Sequence, residues 1–235
     1  MNTDRLSSND LVKSRCVVVV PVFNEAAVLP GVLNDLLSRF NKIIVIDDGS
    51  TDTTSEIAES FEVYTARHSQ NLGQGASIQT GIDIALALSD WDVLITFDAD
   101  GQHRTEDAVS VALQLINNPN LDVCLGSRFM SGEITMPSLR RFVLKIATLL
   151  TSVITGVQLT DTHNGLRAIR RSAAERIMLS HYRMAHATEF ISLIRQLNLR
   201  HTEVPVMVRY TSYSLAKGQR ISDGFQILFD LLRRN

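Results

Sequence analysis

The sequence predicts a doubly wound α/β fold: one mostly parallel sheet with helices on both faces, in a single domain. Three observations carry the prediction. Short β-branched runs alternate with helix-periodic stretches through the first half of the chain, the pattern that parallel strands joined by right-handed crossovers produce. The first run, 16–22, is almost continuously apolar, as a strand covered on both faces must be. Polar clusters directly follow three of the runs, at the carboxyl ends of strands where such sheets hold ligands.

The elements follow in order. After strand 16–22, residues 26–40 place Val28, Val32, Leu36 and Phe40 at helical spacing. Residues 43–47 read as a strand and 53–61 as a helix, with Ser50, Thr51 and Asp52 offering caps. A short strand at 62–65, a helix at 74–88, a strand at 93–98, a helix at 106–116 and a strand at 123–127 complete the alternation. The second half is less regular. Residues 139–157 carry apolar side chains at 139, 142, 143, 146, 149, 150, 153, 154 and 157, with Thr148, Thr151, Ser152 and Thr155 opposite and Arg140, Arg141 and Lys145 near the start. That stretch is shorter than the roughly 18 apolar residues of a membrane span, and Lys145 interrupts it. It either packs on the sheet or lies on a membrane surface, and packing is the expectation for an amphipathic helix. Residues 203–210 read as a further strand, and 223–234 as a terminal helix with Phe225, Leu228, Phe229 and Leu232 on one face. The expected boundaries are a polar extension at 1–15, the domain at 16–210, and a loop with an amphipathic helix at 211–235. Within the domain, 16–127 and 128–210 form two halves.

Composition narrows the classes. The chain has 235 residues, 45% of them hydrophobic and 6% aromatic, enough for a full core and unlike a disordered or fibrous chain. Cys16 and Cys124 are the only cysteines, each in an apolar run, which predicts packed, reduced thiols rather than a disulfide framework or zinc site. The first fifteen residues are polar and mixed in charge, so no secretory leader is expected. Up to Cys124 there are 7 Lys and Arg against 18 Asp and Glu, and from Leu125 onward 16 against 7. An acidic half suits a cation, and a basic half suits phosphates or an anionic membrane. Aromatics do not interleave with the basic residues, so nucleic acid is not an expected partner. No G-x-S-x-G elbow or HExxH pattern occurs.

Chemistry collects at three strand ends. Pro21-Val22-Phe23-Asn24-Glu25 follows the first strand, Asp47-Asp48-Gly49-Ser50-Thr51-Asp52 the second, and Asp98-Ala99-Asp100-Gly101-Gln102-His103 the fourth. Two carboxylates separated by one residue cannot be buried without a cation or strong donors, and oxygen ligands beside phosphate select Mg²⁺ or Mn²⁺ over zinc. An isolated Asp-X-Asp is usually a solvated turn, but that reading must also explain Asn24, Glu25 and Asp48 on the same edge. Asn71-Leu72-Gly73-Gln74-Gly75 precedes a helix and offers amides near phosphate. Taken alone it is a weak signal, since a dinucleotide fingerprint follows the first strand.

At these residues the sequence resembles the family 2 glycosyltransferases of GT-A fold, especially the branch acting on polyprenyl phosphates such as dolichyl phosphate. Six motifs occur in order between Val17 and about Val208: Val20 to Glu25, Ile46 to Asp52, Asn71 to Gly75, Phe97 to Gln102, Gly126-Ser127-Arg128-Phe129 and Asp161-Thr162-His163-Asn164-Gly165-Leu166-Arg167. The resemblance implies that Pro21, Asn24, Glu25, Asp48 and Gly73 hold the nucleotide-sugar, with Asp48 near the base. It implies that Asp98, Asp100 and Gln102 bind Mg²⁺ or Mn²⁺ bridging the donor diphosphate, and that Arg128, Arg141 and Lys145 contact an acceptor phosphate. Arg141 and Lys145 have the alternative of an ordinary solvated helix face. The branch commonly has an arginine and then Gly-X-Ser-Lys after the last strand; here Lys217 serves as the lysine, but Thr211 stands at the arginine position.

The expected activity is transfer of a hexose from a UDP- or GDP-sugar to a polyprenyl phosphate, with inversion, at the cytoplasmic face of a membrane. The alternative is transfer to a sugar hydroxyl in surface-polysaccharide assembly, which needs a general base; Glu189 and Asp161 are the candidates, Glu189 otherwise being a helix-cap or salt-bridge residue. A third class, a non-catalytic nucleotide-sugar sensor, fits an intact carboxylate pair less well.

Overall fold

The computed structural model describes residues 7–130, 138–180 and 186–209. Helix α1 (Ser8–Arg15) leads into β1 (Cys16–Val22), followed by α2 (Leu29–Leu37), β2 (Ile43–Asp47), α3 (Thr54–Glu59), β3 (Tyr64–Arg67), α4 (Gln74–Ala87), β4 (Val93–Thr96), α5 (Thr105–Asn117) and β5 (Val123–Ser127). The second half contributes α6 (Ser138–Thr155), β6 (Arg167–Arg170), α7 (Arg171–Ala174), α8 (His186–Gln196) and β7 (His201–Pro205). The expected terminal helix and Lys217 lie outside the described residues.

One seven-stranded sheet runs β3-β2-β1-β4-β6-β5-β7. β6 alone is antiparallel to its neighbours, β4 and β5. The chain winds from β1 to β2 and β3 on one side and returns to place β4 on the other, so the order reverses between β1 and β4, and a crevice opens beyond their carboxyl ends. Alternate residues of β1 feed two apolar layers. Val18 and Val20 pack with Leu29, Leu33 and Leu36 of α2 and Val111 and Leu115 of α5. Val17 and Val19 pack with Ile78 and Ile82 of α4 and Phe190, Ile191 and Ile194 of α8. Helix α4 comes unusually close to β1: a Cβ on Gly81 would overlap the Val19 side chain. Cys16 and Cys124 are free and buried, and burial pushes both thiols up to about 12, as inert packed cysteines should be.

Three features differ from the sequence expectation. The polar segment before Cys16 is helical, because Ser7 and Asp10 close a reciprocal capping box. β6 was not expected, since its four residues begin and end with arginine. Helix α6 forms, but its faces are reversed. Ala147, Thr148, Thr151 and Thr155 are buried, whereas Phe142, Leu149, Val153 and Ile154 are 57–74% exposed. The Thr162 hydroxyl reaches Thr148 at 3.3 Å, and the Thr155 hydroxyl donates to the Thr151 carbonyl at 2.7 Å. These bonds let the hydroxyl face sit against protein. The expected packing of the apolar stripe on the sheet is therefore not what the structure has.

Candidate active site

The first two strand-end loops are laced together. Asn24 adopts φ +54°, a left-handed conformation that asparagine tolerates better than most residues. Its amide donates to Ser50 Oγ at 2.9 Å, and its Oδ1 accepts from the Thr51 amide at 2.8 Å. The Glu25 amide donates to Thr54 Oγ1, also at 2.9 Å. Buried Asp48 faces the other way: Oδ1 accepts from Leu72 N at 3.0 Å, Oδ2 accepts from Gly73 N at 2.7 Å, and His68 Nδ1 stands 2.8 Å away. Gly73, at φ +97°, takes a turn that a Cβ would strain. Its amide is thus engaged by Asp48, and the 71–73 loop forms a wall rather than a row of open donors. Between these loops and α4 lies a cavity of about 570 Å³ lined by Pro21, Phe23, Glu25, Asp48, Ser77 and Asp98, among others, within the range of small-molecule sites.

The carboxylate pair closes one end of this cavity. Asp98 Oδ1 accepts from Gln74 Nε2 at 2.7 Å, and Oδ2 lies 3.3 Å from His103 Nε2. Burial would raise the Asp98 pKa, but the hydrogen bond and charge of His103, with Arg167 and His186, hold it below the usual carboxylate range. Asp100 goes the other way, to about 6, pushed first by burial and then by the Asp98 charge. Gln102 clasps Asp100 through its backbone amide at 3.0 Å and its Nε2 at 2.5 Å. Gly165 crosses directly behind Asp98: a Cβ there would lie 2.6 Å from Asp98 Cγ. Its φ is not positive, so Gly165→Ala tests steric displacement without added backbone strain. We expect it to push the Asp98 carboxylate aside and lower the melting temperature by roughly 2–12 °C, measured by circular dichroism, because overpacking costs about 1–3 kcal/mol.

A second, smaller space of about 40 Å³ shares Asp98 and Asp100 with the first and adds Gln102, His103, Arg128, His163, Asn164, Gly165 and Val208. Arg128 reaches it from the end of β5, gripped by buried Asp161 through Nε at 2.6 Å and a terminal nitrogen at 3.2 Å. Burial would raise the Asp161 pKa, but the charge and hydrogen bonds of Arg128 hold it low. Glu203 of β7 in turn accepts from Thr160 and Asp161 amides at 2.8 and 3.1 Å. His163 is lowered to about 4, chiefly by burial, and is neutral at pH 7.

The structure thus brings together Pro21, Glu25, Asp48, Gly73, Asp98, Asp100, Gln102 and Arg128, while Asn24 braces the loops behind them. Arg141 and Lys145 are exposed on α6 and line neither cavity. Glu189 lies on α8, where its Oε1 accepts from the Ser180 amide at 3.0 Å and hydroxyl at 2.6 Å, and it too lines neither. Sequence reasoning gave no role to Gln74, His103, Gly165 or Arg167. Arg167 is buried on β6 with its guanidinium 4.4 Å over the Phe190 ring; no periodicity announces a buried arginine, and only its place in the 161–167 motif marked it.

The sequence profile described as Glycosyl transferase family 2 matches residues 17–178. An uncharacterised protein of Methanocaldococcus jannaschii is 38% identical, covering 95% of this chain and 93% of the relative. The UDP-N-acetylglucosamine–dolichyl-phosphate N-acetylglucosaminyltransferase of Methanococcus voltae is 31% identical, covering 92% and 94%. Among solved structures, glucosyl-3-phosphoglycerate synthase of Mycobacterium tuberculosis, in complex with Mn²⁺, UDP and glucosyl-3-phosphoglycerate, superposes with a TM-score of 0.67 at 16% identity, over 100% of this chain and 86% of that one. That likeness speaks for the GT-A fold. The six motifs, the carboxylate pair at a topological switch point and a profile spanning most of the chain agree: this protein is a glycosyltransferase and belongs to glycosyl transferase family 2.

Proposed function

We propose that the chain transfers a hexosyl group from a UDP- or GDP-sugar to the phosphate of a polyprenyl phosphate, with inversion, using Mg²⁺ or Mn²⁺ held by Asp98, Asp100 and Gln102. The observation that carries this is the carboxylate pair forming a wall common to a nucleotide-sized cavity and a small polar space beside Arg128. The residues fit a cation: Asp100 is raised to about 6 by burial and by Asp98, a repulsion that a divalent ion reverses. When bound, such an ion neutralises charge gathering on the departing diphosphate. Two names support the reading, that of the dolichyl-phosphate transferase of Methanococcus voltae for the acceptor and that of the Mn²⁺- and UDP-bound synthase for the metal.

In the transfer, the bond from the anomeric carbon to the donor's β-phosphate oxygen breaks and its electron pair leaves with the nucleoside diphosphate. A bond from the acceptor phosphate oxygen to that carbon forms. A phosphate monoester has a second pKa of about 6, so the acceptor is already a nucleophile at pH 7 and needs no protein base. This agrees with the acids available. Asp161 is held by Arg128 well below the ordinary range, which makes it a poor base, and Glu189 is engaged by Ser180. Arg128, fixed by Asp161, presents a rigid guanidinium to the acceptor phosphate.

Work at a membrane is supported by α6. Among the described residues no helix is long and apolar enough to cross a bilayer. Yet Phe142, Leu149 and Val153 form an exposed line along α6, with exposed Arg141 and Lys145 beside it, the arrangement of a helix lying in an anionic interface. Burying an apolar side chain in lipid is worth about 1.5–3 kcal/mol. The double variant Leu149→Asp, Val153→Asp is therefore expected to lose binding to anionic vesicles by at least about a hundredfold in flotation assays, with nucleotide binding retained. Undiminished flotation would count against α6 as the membrane face.

The deciding experiment is a panel of UDP- and GDP-sugars with Mg²⁺ or Mn²⁺ and polyprenyl phosphate. The expected result is nucleoside diphosphate release with a lipid-linked sugar. Transfer only to a saccharide hydroxyl, lost in Glu189→Gln, would favour the polysaccharide alternative.

A further inference from the structure

Buried polar atoms without a hydrogen-bond partner are few in a folded protein and collect where a ligand completes them. Among the described residues, His103 Nδ1, His163 Nε2 and Asn164 Nδ2 are such atoms, and all three residues line the 40 Å³ space beside Asp98. Asn164 is 3% exposed. Its Oδ1 is already engaged, accepting from the Leu166 amide at 2.9 Å, which leaves the amide group as the unused end. His163 Nδ1 lies 2.8 Å from Thr162 Oγ1, so its ring is fixed from one side while Nε2 lacks a partner. An unmet buried donor costs about 1–3 kcal/mol. Two adjacent residues carrying that cost, next to the metal-binding carboxylates, call for an occupant.

The chemistry of the lining selects the occupant. The unpartnered atoms of His163, neutral at pH 7, and of Asn164 carry no formal positive charge, so they suit a neutral polar group rather than the acceptor phosphate that Arg128 meets. A hydroxyl both donates and accepts: its oxygen suits the Asn164 amide, and its proton suits a carboxylate or imidazole acceptor. The space holds one or two such groups but not a whole sugar ring. Its position fits as well. The nucleotide-sized cavity lies along one part of the Asp98–Asp100 wall and the small space along another, so a hexose attached to the diphosphate lies beside this second space.

We propose that Asn164, with His163, binds a hydroxyl of the hexose being transferred and so sets which sugar the enzyme accepts. This rests on the hexosyl-transfer reading above and deepens it. Sites built to hydrogen-bond a substrate hydroxyl reject analogues lacking it far more strongly than apolar pockets sort by size. Binding of intact donor can be measured without any acceptor, so the test does not depend on the lipid phosphate. The probes are the free nucleoside diphosphate, the corresponding nucleotide-sugar, and its 2-, 3-, 4- and 6-deoxy analogues, each titrated calorimetrically with Mn²⁺ present. In the unaltered enzyme one deoxy donor is expected to bind at least about tenfold more weakly than the full sugar. In Asn164→Ser, whose hydroxyl can still accept from Leu166, the full sugar should fall to the level of that deoxy donor. The deoxy donor should lose little more, and the nucleoside diphosphate should bind as before. Equal weakening of every sugar in Asn164→Ser, or no deoxy donor weaker than the full sugar in the unaltered enzyme, would overturn the assignment. The second measurement alters no residue, so it stands even if the variant folds poorly. Failure of lipid transfer with this hydroxyl discrimination intact would instead count against the polyprenyl phosphate.

Discussion

Asp98→Asn is expected to reduce sugar transfer by roughly 10³-fold or more while leaving the protein folded but, without metal, somewhat less stable. Lewis-acid stabilisation of a departing diphosphate is worth several kcal/mol, and each 1.36 kcal/mol is a factor of ten in rate. Asparagine keeps an oxygen to accept from Gln74, as Asp98 Oδ1 does at 2.7 Å, so the wall of the cavity persists. It removes the charge that, after burial, does most to lift Asp100 to about 6. Removing that repulsion should let Asp100 ionise at lower pH, but the same change takes from His103 and buried Arg167 the carboxylate that offsets their charge, so the metal-free protein is expected to melt lower. Turnover with Mn²⁺, and melting with and without it, measure both halves. A variant retaining more than a tenth of the activity would remove Asp98 from the metal site.

The second large effect concerns Asp161. Its side chain is 1% exposed and that of Arg128 is 11% exposed, so Asp161→Ala takes a bidentate carboxylate from a nearly buried guanidinium. Breaking such a pair costs about 3–5 kcal/mol, and in a chain of this size each kcal/mol moves the midpoint by roughly 2–4 °C. A fall on the order of 10 °C is expected, together with loss of transfer because Arg128 is no longer aimed. The pH dependence has a definite sign. The folded-state pKa of Asp161 lies below the ordinary carboxylate range, with Arg128 outweighing burial. Its contribution is therefore present above about pH 4 and is lost as pH falls through the folded value. In acid titrations monitored by circular dichroism, Asp161→Asn should shed that part of the acid-induced loss. An unchanged acid limb would mean the pair does not stabilise the fold.

Much of this was legible in the residues. The spans predicted for β1, β2 and β5 match the observed strands, because each is a short, mostly apolar run buried along nearly its whole length, and turn chemistry marks where it stops. The Asp98–Asp100 spacing marked the right strand end, and the structure places both carboxylates on the wall shared by the two cavities. What escaped prediction shares one cause: polarity does not reveal direction. Arg167 and Arg170 bracket a strand that lies inside the sheet, and charged ends hid it. The stripe on α6 had a clear period, yet period cannot say which side faces protein, and buried threonines bonded to one another reversed the expected side. Asp48 and Gly73 were individually visible, but the bond between them, which makes the loop a wall, depends on residues 25 positions apart. β7 ends at Pro205, short of the expected 210; beyond it the chain bonds to the loop after β4 instead, with the Arg209 amide donating to the Gln102 carbonyl at 2.9 Å.

The close approach at Gly81 gives α4 a fixed seat. Gln74 and Ser77 at the start of that helix line the larger cavity, and Gly81 sits about two turns further on, roughly 12 Å from Gly73 at 1.5 Å per residue. A missing methyl group therefore acts as a depth gauge: it lets the helix settle onto Val19 and, through the stiffness of the rod, fixes how far its front end stands from Asp98. The width of the larger cavity is thus set by the thickness of one side chain deep in the core.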